Sequence, residues 1–154
     1  MTLDLKEGEF LIDDKMSPWR GNSLYDLYKL AYTPWEWHEP IMKRAEELGL
    51  ICFSTPFDET AVDFLEDLNV PAYKIASCEN IHIPLIKKVF KTGKPIIIST
   101  GMANIKEIDF AIKEIKKKIN KKLILLQCTT NYPSSNLDAN LLTIKTLSKR
   151  YKTL

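Results

Sequence analysis

The chain has 154 residues, of which 45% are hydrophobic and 27% are charged, and its formal net charge is +2. This is the balance of a soluble globular domain with a sizeable core. The first residues lack the apolar core of a signal peptide, and no apolar run approaches the length of a membrane span. Cys52, Cys78 and Cys128 form no CxxC pair, which argues against a zinc site or a disulfide framework. The sequence therefore predicts a cytoplasmic protein with reduced thiols and no membrane partner.

Helical segments recur along the chain, after a start at 1–13 that is typical of the tail of an earlier strand–helix unit. The clearest is 104–119, where Asn104 and Glu107 have the spacing of a capping box. Its apolar face consists of Ile108, Ala111, Ile112, Ile115 and Ile119. Because the lysine-rich run 113–122 follows helical spacing, a solvated helix face is favoured there over a nucleic-acid site. The helices are predicted to end at residues that tolerate left-handed backbone, namely Gly49, Asn69, Gly93 and Asn120.

Four short apolar runs predict buried strands, at 50–53, 72–76, 95–98 and 123–126. They are continuous rather than alternating, as expected of parallel strands that are covered on both faces. Strands and helices alternate, so the fold class is α/β. A complete (β/α)8 TIM barrel needs roughly 250 residues. The sequence therefore predicts a partial TIM barrel of about four β/α units over residues 1–154, which is about half of the complete fold.

Hydroxyl side chains follow every predicted strand: Ser54 and Thr55, Ser77, Ser99 and Thr100, and Thr129 and Thr130. Parallel strands bring their carboxyl ends to one face, and in a (β/α)8 barrel that face holds the active site. A doubly wound open sheet would also bind ligands at these ends. However, no glycine-rich fingerprint follows any of the strands, which weakens that alternative.

The second apolar run contains Lys74 and is followed by Ser77 and Glu79. Strand alternation places Lys74 and Ala76 on the same face. A lysine within a buried strand is costly unless it meets an anion. Two interpretations stay open: a lysine that pairs with an acid or reaches solvent, and a lysine that points into a barrel at a phosphate or carboxylate. Residues 99–101 are similarly open between a simple turn and a phosphate-binding strand–helix junction.

Five segments together resemble the N-terminal barrel domain of the sialic acid synthases, from about residue 1 to residue 140. They are STPFD at 54–58, YKIAS at 73–77, KTGKP at 91–95, STGM at 99–102 and CTTNYP at 128–133. Within that family, AYTPWEWH at 31–38 resembles the stretch typical of pseudaminic acid synthases. The alternative for this stretch is an aromatic cluster that opens an amphipathic helix, with His38 on its surface.

The resemblance implies a transferase that condenses phosphoenolpyruvate with a 2,4-diacetamido-2,4,6-trideoxy hexose, giving pseudaminic acid and phosphate for surface glycans such as flagellin. It implies a set of residues that hold phosphoenolpyruvate: Thr55, Lys74, Ser77 and Ser99. Glu79 matches an acidic residue near the reacting carbons, where it handles a proton or orients the substrate. Lys74 and Glu79 are therefore the predicted catalytic residues.

The segment after the last predicted strand matches the part of the family site that faces both substrates: Thr129, Thr130, Asn131 and Tyr132. Some relatives have a side-chain amide there. Asn131 is the candidate for that role by chemistry and Thr130 is the candidate by position.

The resemblance also implies a divalent metal, Mn or Mg, that polarises the sugar aldehyde as a Lewis acid, and a homodimeric intact enzyme. The family's metal ligands are histidines on later strands, and neither His38 nor His82 lies at a matching position. No metal ligand is therefore assigned within this chain. Because the family's first and last strands and its small C-terminal capping domain are missing here, we expect residues 1–154 alone to be inactive. Their open sheet edges favour self-association or a complementing half.

Other functions stay open. A synthase of N-acetylneuraminate or legionaminate would share the same five segments, and the aromatic run at 31–38 discriminates against it. A non-catalytic product of a truncated gene would retain the site residues if the truncation were recent. A generic phosphate-binding half-barrel would explain the hydroxyl residues at the strand ends, but it would not explain the aromatic run.

Overall fold

The structure is a computed structural model that describes residues 2–116, 123–131 and 133–152. The chain divides into two compact units, Met1–Arg44 and Ala45–Leu154. The described helices are α1 (Leu24–Ala31), α2 (His38–Glu47), α3 (Glu59–Asp67), α4 (Ile83–Lys91), α5 (Ile105–Lys116) and α6 (Leu142–Tyr151). The described strands are β1 (Tyr73–Ile75), β2 (Ile96–Ser99) and β3 (Leu123–Leu126). None of the described helices has both the length and the apolar character needed to cross a membrane.

The first unit contains α1 and the aromatic run. α1 begins after the buried Ser23, whose Oγ accepts a hydrogen bond from the backbone N–H of Asp26 at 3.1 Å, which is a side-chain N-cap. Residues Trp35–Trp37 form a 3-10 turn that leads directly into α2, and both tryptophans are about half exposed. The aromatic run therefore does open a helix. His38 is the first residue of that helix and is half-buried.

The second unit contains a parallel sheet in which strand order follows chain order, β1–β2–β3. The register pairs Tyr73 with Ile96, and Ile96 with Leu123. α4 and α5 connect consecutive strands, as crossover helices do in a (β/α)8 barrel. The described strands show no reversal of order, which is the feature that defines a doubly wound sheet. The partial-barrel prediction is therefore favoured by the topology.

The two faces of the sheet differ in burial. One face packs against the helices and carries fully buried side chains, including Tyr73 and Ile75 of β1 and Ile96 of β2. The Tyr73 hydroxyl donates to Glu66 Oε1 of α3 at 2.6 Å, so this face of the sheet is directed towards α3. The intervening row, Lys74, Ile97 and Ile124, lies on the opposite face and is half-buried. Lys74 therefore lies on the face of the sheet opposite to Tyr73 and Ile75.

Ion pairs join the helices around the sheet. Lys88 of α4 contacts Asp63 of α3 at 2.6 Å, and Lys87 of α4 contacts Glu114 of α5 at 3.1 Å. Lys94, just before β2, contacts Glu66 of α3 at 2.7 Å. Burial opposes ionisation of Glu66, but the hydrogen bonds from Lys94 and Tyr73 together lower its pKa.

Most of the predicted elements are confirmed where the structure describes them. The three later strands form within one or two residues of the predicted bounds. Asn104 Oδ1 accepts from the N–H of Glu107 at 3.1 Å and Glu107 Oε2 accepts from the N–H of Asn104 at 2.8 Å, which is the predicted capping box. Gly49, Asn69 and Gly93 have φ of 69°, 52° and 70°, as their helix-ending role requires. The predicted helix end at 117–120 lies outside the described residues.

The strand predicted at 50–53 is wrong, because these residues form no strand in the structure. Three strands are described, and β1 is an edge of their sheet. Leu50 and Ile51 are 62% and 81% exposed, so this apolar run is not covered on both faces. Apolar composition predicts burial, but a strand forms only where a neighbouring backbone completes its hydrogen bonds.

Candidate active site at the strand ends

A hydrogen-bonded turn follows β1 and carries the first group of predicted site residues. The backbone N–H of Glu79 donates to Ala76 O at 3.2 Å, and that of Asn80 donates to Ser77 O at 3.4 Å. A third bond runs from the N–H of His82 to Glu79 O at 2.9 Å. These bonds hold Ser77 and Glu79 directly beyond the carboxyl end of β1.

The ends of the three strands are connected by side-chain hydrogen bonds. The buried Asn80 donates from Nδ2 to Ser99 O at the end of β2, at 3.4 Å. Thr100 donates to Leu126 O of β3 from both its backbone N–H, at 3.0 Å, and its Oγ1, at 2.9 Å. Ser99 itself is 2% exposed. Asn80 and Thr100 therefore fix the relative positions of the strand ends.

Gly101 lies where these ends meet. It is buried, and a Cβ at this position would lie 2.7 Å from Ser77 Oγ and 3.0 Å from Thr130 Cγ2. Ser77 follows β1 and Thr130 follows β3, so the structure brings together two predicted site residues that are distant in the sequence. For these two residues, the structure agrees with the expectation that parallel strands bring their carboxyl ends together.

Within the described part of the chain, Lys74 has no ion pair and one carboxylate oxygen of Glu79 has no hydrogen-bond partner. Among the described residues, no carboxylate forms an ion pair with the half-buried Lys74. Glu79 Oε2 is buried and accepts no hydrogen bond. A polar group that is buried without a partner carries a free-energy cost. Among the described residues Lys74 does not pair with an acid, while the interpretation in which it reaches solvent stays open, since the residue is only half-buried.

The remaining predicted residues are less closely joined to this group. Thr129 is half-buried and donates from Oγ1 to Ser134 Oγ at 2.8 Å, while Asn131 is exposed. Thr55 is half-buried, and no hydrogen bond among the described residues connects it to the other site residues. Tyr132 lies outside the described residues.

The described part of the chain contains no group of three or more His, Cys, Asp or Glu side chains arranged to hold a metal ion. His38 Nδ1 lies 3.2 Å from Pro34 O, and the exposed His82 precedes α4 as its N-cap residue. Hydroxyl groups dominate the strand ends, and Glu79 supplies the carboxylate. This donor set does not fit the divalent metal that the family resemblance implies, so we derive no step through a metal.

Two residues have a structural role at the strand ends that the sequence did not predict. Asn80 follows Ser77 by three positions in a polar turn, and that turn signal could have identified it. Gly101 belongs to the predicted strand–helix junction at 99–101, and its φ lies outside the left-handed region that other glycines of the chain occupy. What requires glycine there is the space beside Ser77 and Thr130, and no local signal reveals that.

Known proteins resemble this chain in sequence and in fold. The model of the NeuB family matches residues 2–154. The chain is 43% identical to the pseudaminic acid synthase of Helicobacter pylori over 149 residues, which are 97% of this chain and 43% of that protein. It is 36% identical to the N,N'-diacetyllegionaminic acid synthase of Legionella pneumophila over 136 residues, 86% of this chain and 38% of that protein.

Among solved structures, the N-acetylneuraminic acid synthetase of Leptospira borgpetersenii superposes with a TM-score of 0.78 at 34% identity. The match covers 83% of this chain and 45% of that one. The chain thus spans less than half the length of these relatives. Because the family model covers nearly the whole chain and the fold superposes on a sialic acid synthase, the chain belongs to the NeuB family.

Proposed function

We propose that this chain carries the phosphoenolpyruvate-binding part of a synthase that makes a nonulosonic acid. The observation that carries the proposal is Lys74, a half-buried lysine of β1 without an ion pair among the described residues, in the strand that ends at Ser77. Phosphoenolpyruvate is a trianionic ligand, so it supplies the negatively charged partner that Lys74 lacks. Hydrogen bonds to charged groups are the strong ones in proteins, so such a ligand stabilises the arrangement.

The reaction begins at the enol carbon of phosphoenolpyruvate, which attacks the aldehyde carbon of an open-chain sugar and forms the new carbon–carbon bond. The attack leaves positive charge on the carbon that carries the phosphate. Water adds to that carbon, and the carbon–oxygen bond to phosphate then breaks. The products are a nonulosonic acid with a 2-keto group and inorganic phosphate.

The described residues supply positioning and charge for these steps. Lys74 and the hydroxyls of Ser77 and Ser99 hold the phosphate and carboxylate, so that the enol carbon is presented in one orientation. Glu79 Oε2 is buried and has no partner, so this oxygen is free to accept a proton from the attacking water. Thr130 lies beside Ser77 at Gly101, and the family resemblance implies that it faces the substrates.

For the sugar, we propose a 2,4-diacetamido-2,4,6-trideoxy hexose, with pseudaminic acid as the product. The proposal is supported by the 43% identity to the Helicobacter pylori relative, against 36% for the legionaminic acid synthase. The alternative is that this chain serves a legionaminate or N-acetylneuraminate synthase. We place the enzyme in the cytoplasm, where phosphoenolpyruvate is available.

The direct test is calorimetric titration of phosphoenolpyruvate into the 154-residue chain and into its Lys74→Met variant. We expect binding by the unsubstituted chain and affinity lower by about 10- to 100-fold in Lys74→Met, because a charge-assisted hydrogen bond is lost. The matched control is Lys91→Met, which removes an exposed lysine in the last turn of α4 and leaves affinity unchanged. Absence of binding by the unsubstituted chain, or an equal loss in both variants, would contradict the proposal.

The sugar assignment needs a complete enzyme. The Legionella pneumophila synthase, with its matching segment replaced by this chain, can be assayed for phosphate release with the sugar precursor of each acid. We expect the hybrid to prefer the precursor of pseudaminic acid. Retained preference for the precursor of legionaminic acid would overturn the sugar assignment and leave phosphoenolpyruvate binding untouched.

A further inference from the structure

Gly101 is a glycine whose backbone does not explain its identity. The glycines at 8, 21, 49 and 93 all have positive φ and nothing within 4 Å of a Cβ. Gly101 has the opposite combination: its φ is outside the left-handed region, and a Cβ would lie 2.7 Å from Ser77 Oγ, 3.3 Å from Ser77 Cβ and 3.0 Å from Thr130 Cγ2. Any side chain at this position therefore competes with Ser77 and Thr130 for the same space.

The backbone around Gly101 has little freedom to move away. Its neighbour Thr100 is bound twice to Leu126 O, at 3.0 Å and 2.9 Å, which holds this segment against β3. On the other side, Asn80 is buried and donates to Ser99 O at 3.4 Å. A Cβ at position 101 would consequently be accommodated by movement of the Ser77 and Thr130 side chains rather than by movement of the strand ends.

We propose that Gly101 is a positioning residue for phosphoenolpyruvate, and that its missing side chain is what allows the Ser77 hydroxyl to occupy its place in the site. The inference rests on the proposed function, since it deepens the role given to Ser77. Gly101 acts through Ser77 and touches no substrate itself. Thr130 forms the other wall of the same gap, so it limits how far Ser77 can be displaced.

The test is a double-mutant cycle on phosphoenolpyruvate affinity, using Gly101→Ala, Ser77→Ala and the double variant of the full chain. We expect Gly101→Ala to raise the dissociation constant about tenfold or more, because a hydrogen bond to a charged ligand is lost. In the Ser77→Ala background the hydroxyl is already gone, so Gly101→Ala should add less than about threefold. Additive effects of the two substitutions would overturn the proposal, because they would show that Gly101 does not act through Ser77.

The matched control is Gly49→Ala. Its φ of 69° strains alanine and no atom lies within 4 Å of the new Cβ, so this variant loses stability while its affinity for phosphoenolpyruvate stays the same. If Gly101→Ala does not fold, adding Thr130→Ser removes the methyl group 3.0 Å from the new Cβ and keeps the hydroxyl, and the cycle is measured in that background. Failure of the unsubstituted chain to bind overturns the proposed function, and this inference with it. Binding by the unsubstituted chain with unchanged affinity in Gly101→Ala overturns this inference alone.

Discussion

The two sides of the sheet differ in whether their charged side chains have partners among the described residues. On the helix side, Lys87, Lys88 and Lys94 each contact a carboxylate at 3.1 Å or less. At the strand ends, Lys74 has no ion pair among the described residues and Glu79 Oε2 accepts no hydrogen bond. The two sides meet within one strand, since Tyr73, which contacts Glu66 of α3, and Lys74 are adjacent in β1.

Under the proposed function, the charges with partners stabilise the fold and the charges without partners serve the ligand. Satisfied ion pairs between helices contribute modestly to stability and hold neighbouring units together. Unsatisfied charges cost free energy in the unliganded protein and are retained where binding later satisfies them. Substitutions on the helix side should therefore alter stability without altering binding, and substitutions at the strand ends should do the reverse.

The largest expected effect on stability is at Tyr73, on the helix side of the sheet, where the residue is 0% exposed. Tyr73→Ala should lower the free energy of unfolding by about 3–5 kcal/mol, because it leaves a cavity between β1 and α3. Tyr73→Phe keeps the ring and removes the hydroxyl that donates to Glu66, so it should cost about 1 kcal/mol. Urea denaturation measures both. A smaller loss in Tyr73→Ala than in Tyr73→Phe would contradict the assignment of this face to the core.

An intermediate effect is expected for Glu66→Gln, which should lower the free energy of unfolding by about 1 kcal/mol at neutral pH by removing the ion pair with Lys94. The pKa of Glu66 is lowered in the folded state, so its contribution is present above the unfolded pKa and is lost as pH falls through the folded pKa. The difference between the chain and its variant should therefore shrink below about pH 4. Denaturation at several pH values measures it.

The control for that experiment is Glu46→Gln, in an exposed residue of α2 that forms no ion pair within the described chain. It should have no comparable pH-dependent effect. Equal acid dependence in Glu66→Gln and Glu46→Gln would show that the contact with Lys94 and Tyr73 is not what determines it. Phosphoenolpyruvate affinity should be unchanged in both variants, since Glu66 lies on the helix side.

The smallest expected effect on stability is that of Lys74→Met. Because the ammonium group has no ion pair among the described residues, its loss should leave the free energy of unfolding unchanged or raise it, by no more than about 0.5 kcal/mol. Thermal denaturation without ligand measures this. A clear loss of stability would contradict the distinction between the two sides of the sheet, since it would show that Lys74 stabilises the fold.

Much of the architecture could be predicted from local sequence signals. The apolar runs around Tyr73, Ile96 and Leu123 predicted three strands, because strands covered on both faces are continuously apolar. The helix ends at Gly49 and Gly93 could be predicted because glycine tolerates the left-handed conformation that ends a helix. The run at 50–53 is apolar like the others but forms no strand. Strand pairing depends on a neighbouring chain segment and not on apolar character alone.

The site could be predicted in part. The position of Lys74 within a strand, and of Ser77 and Glu79 at its end, predicts a site because parallel strands present their carboxyl ends on one face. The structure added that Lys74 has no ion-pair partner in the described chain and that Ser77 approaches Thr130 across Gly101. Neither fact depends on spacing along the chain, so neither could be obtained from the sequence.

The sequence by itself determined the order of strands and helices and the chemical character of the strand ends. Both follow from the periodicity of apolar residues and from the few residues that end a helix. Only the tertiary structure decided which charges are satisfied and how much room Gly101 must leave. Those properties depend on contacts between residues that are distant in the sequence. The ion pairs join neighbouring helices, and the space at Gly101 is set by the register of the sheet and by the hydrogen bonds of Asn80 and Thr100.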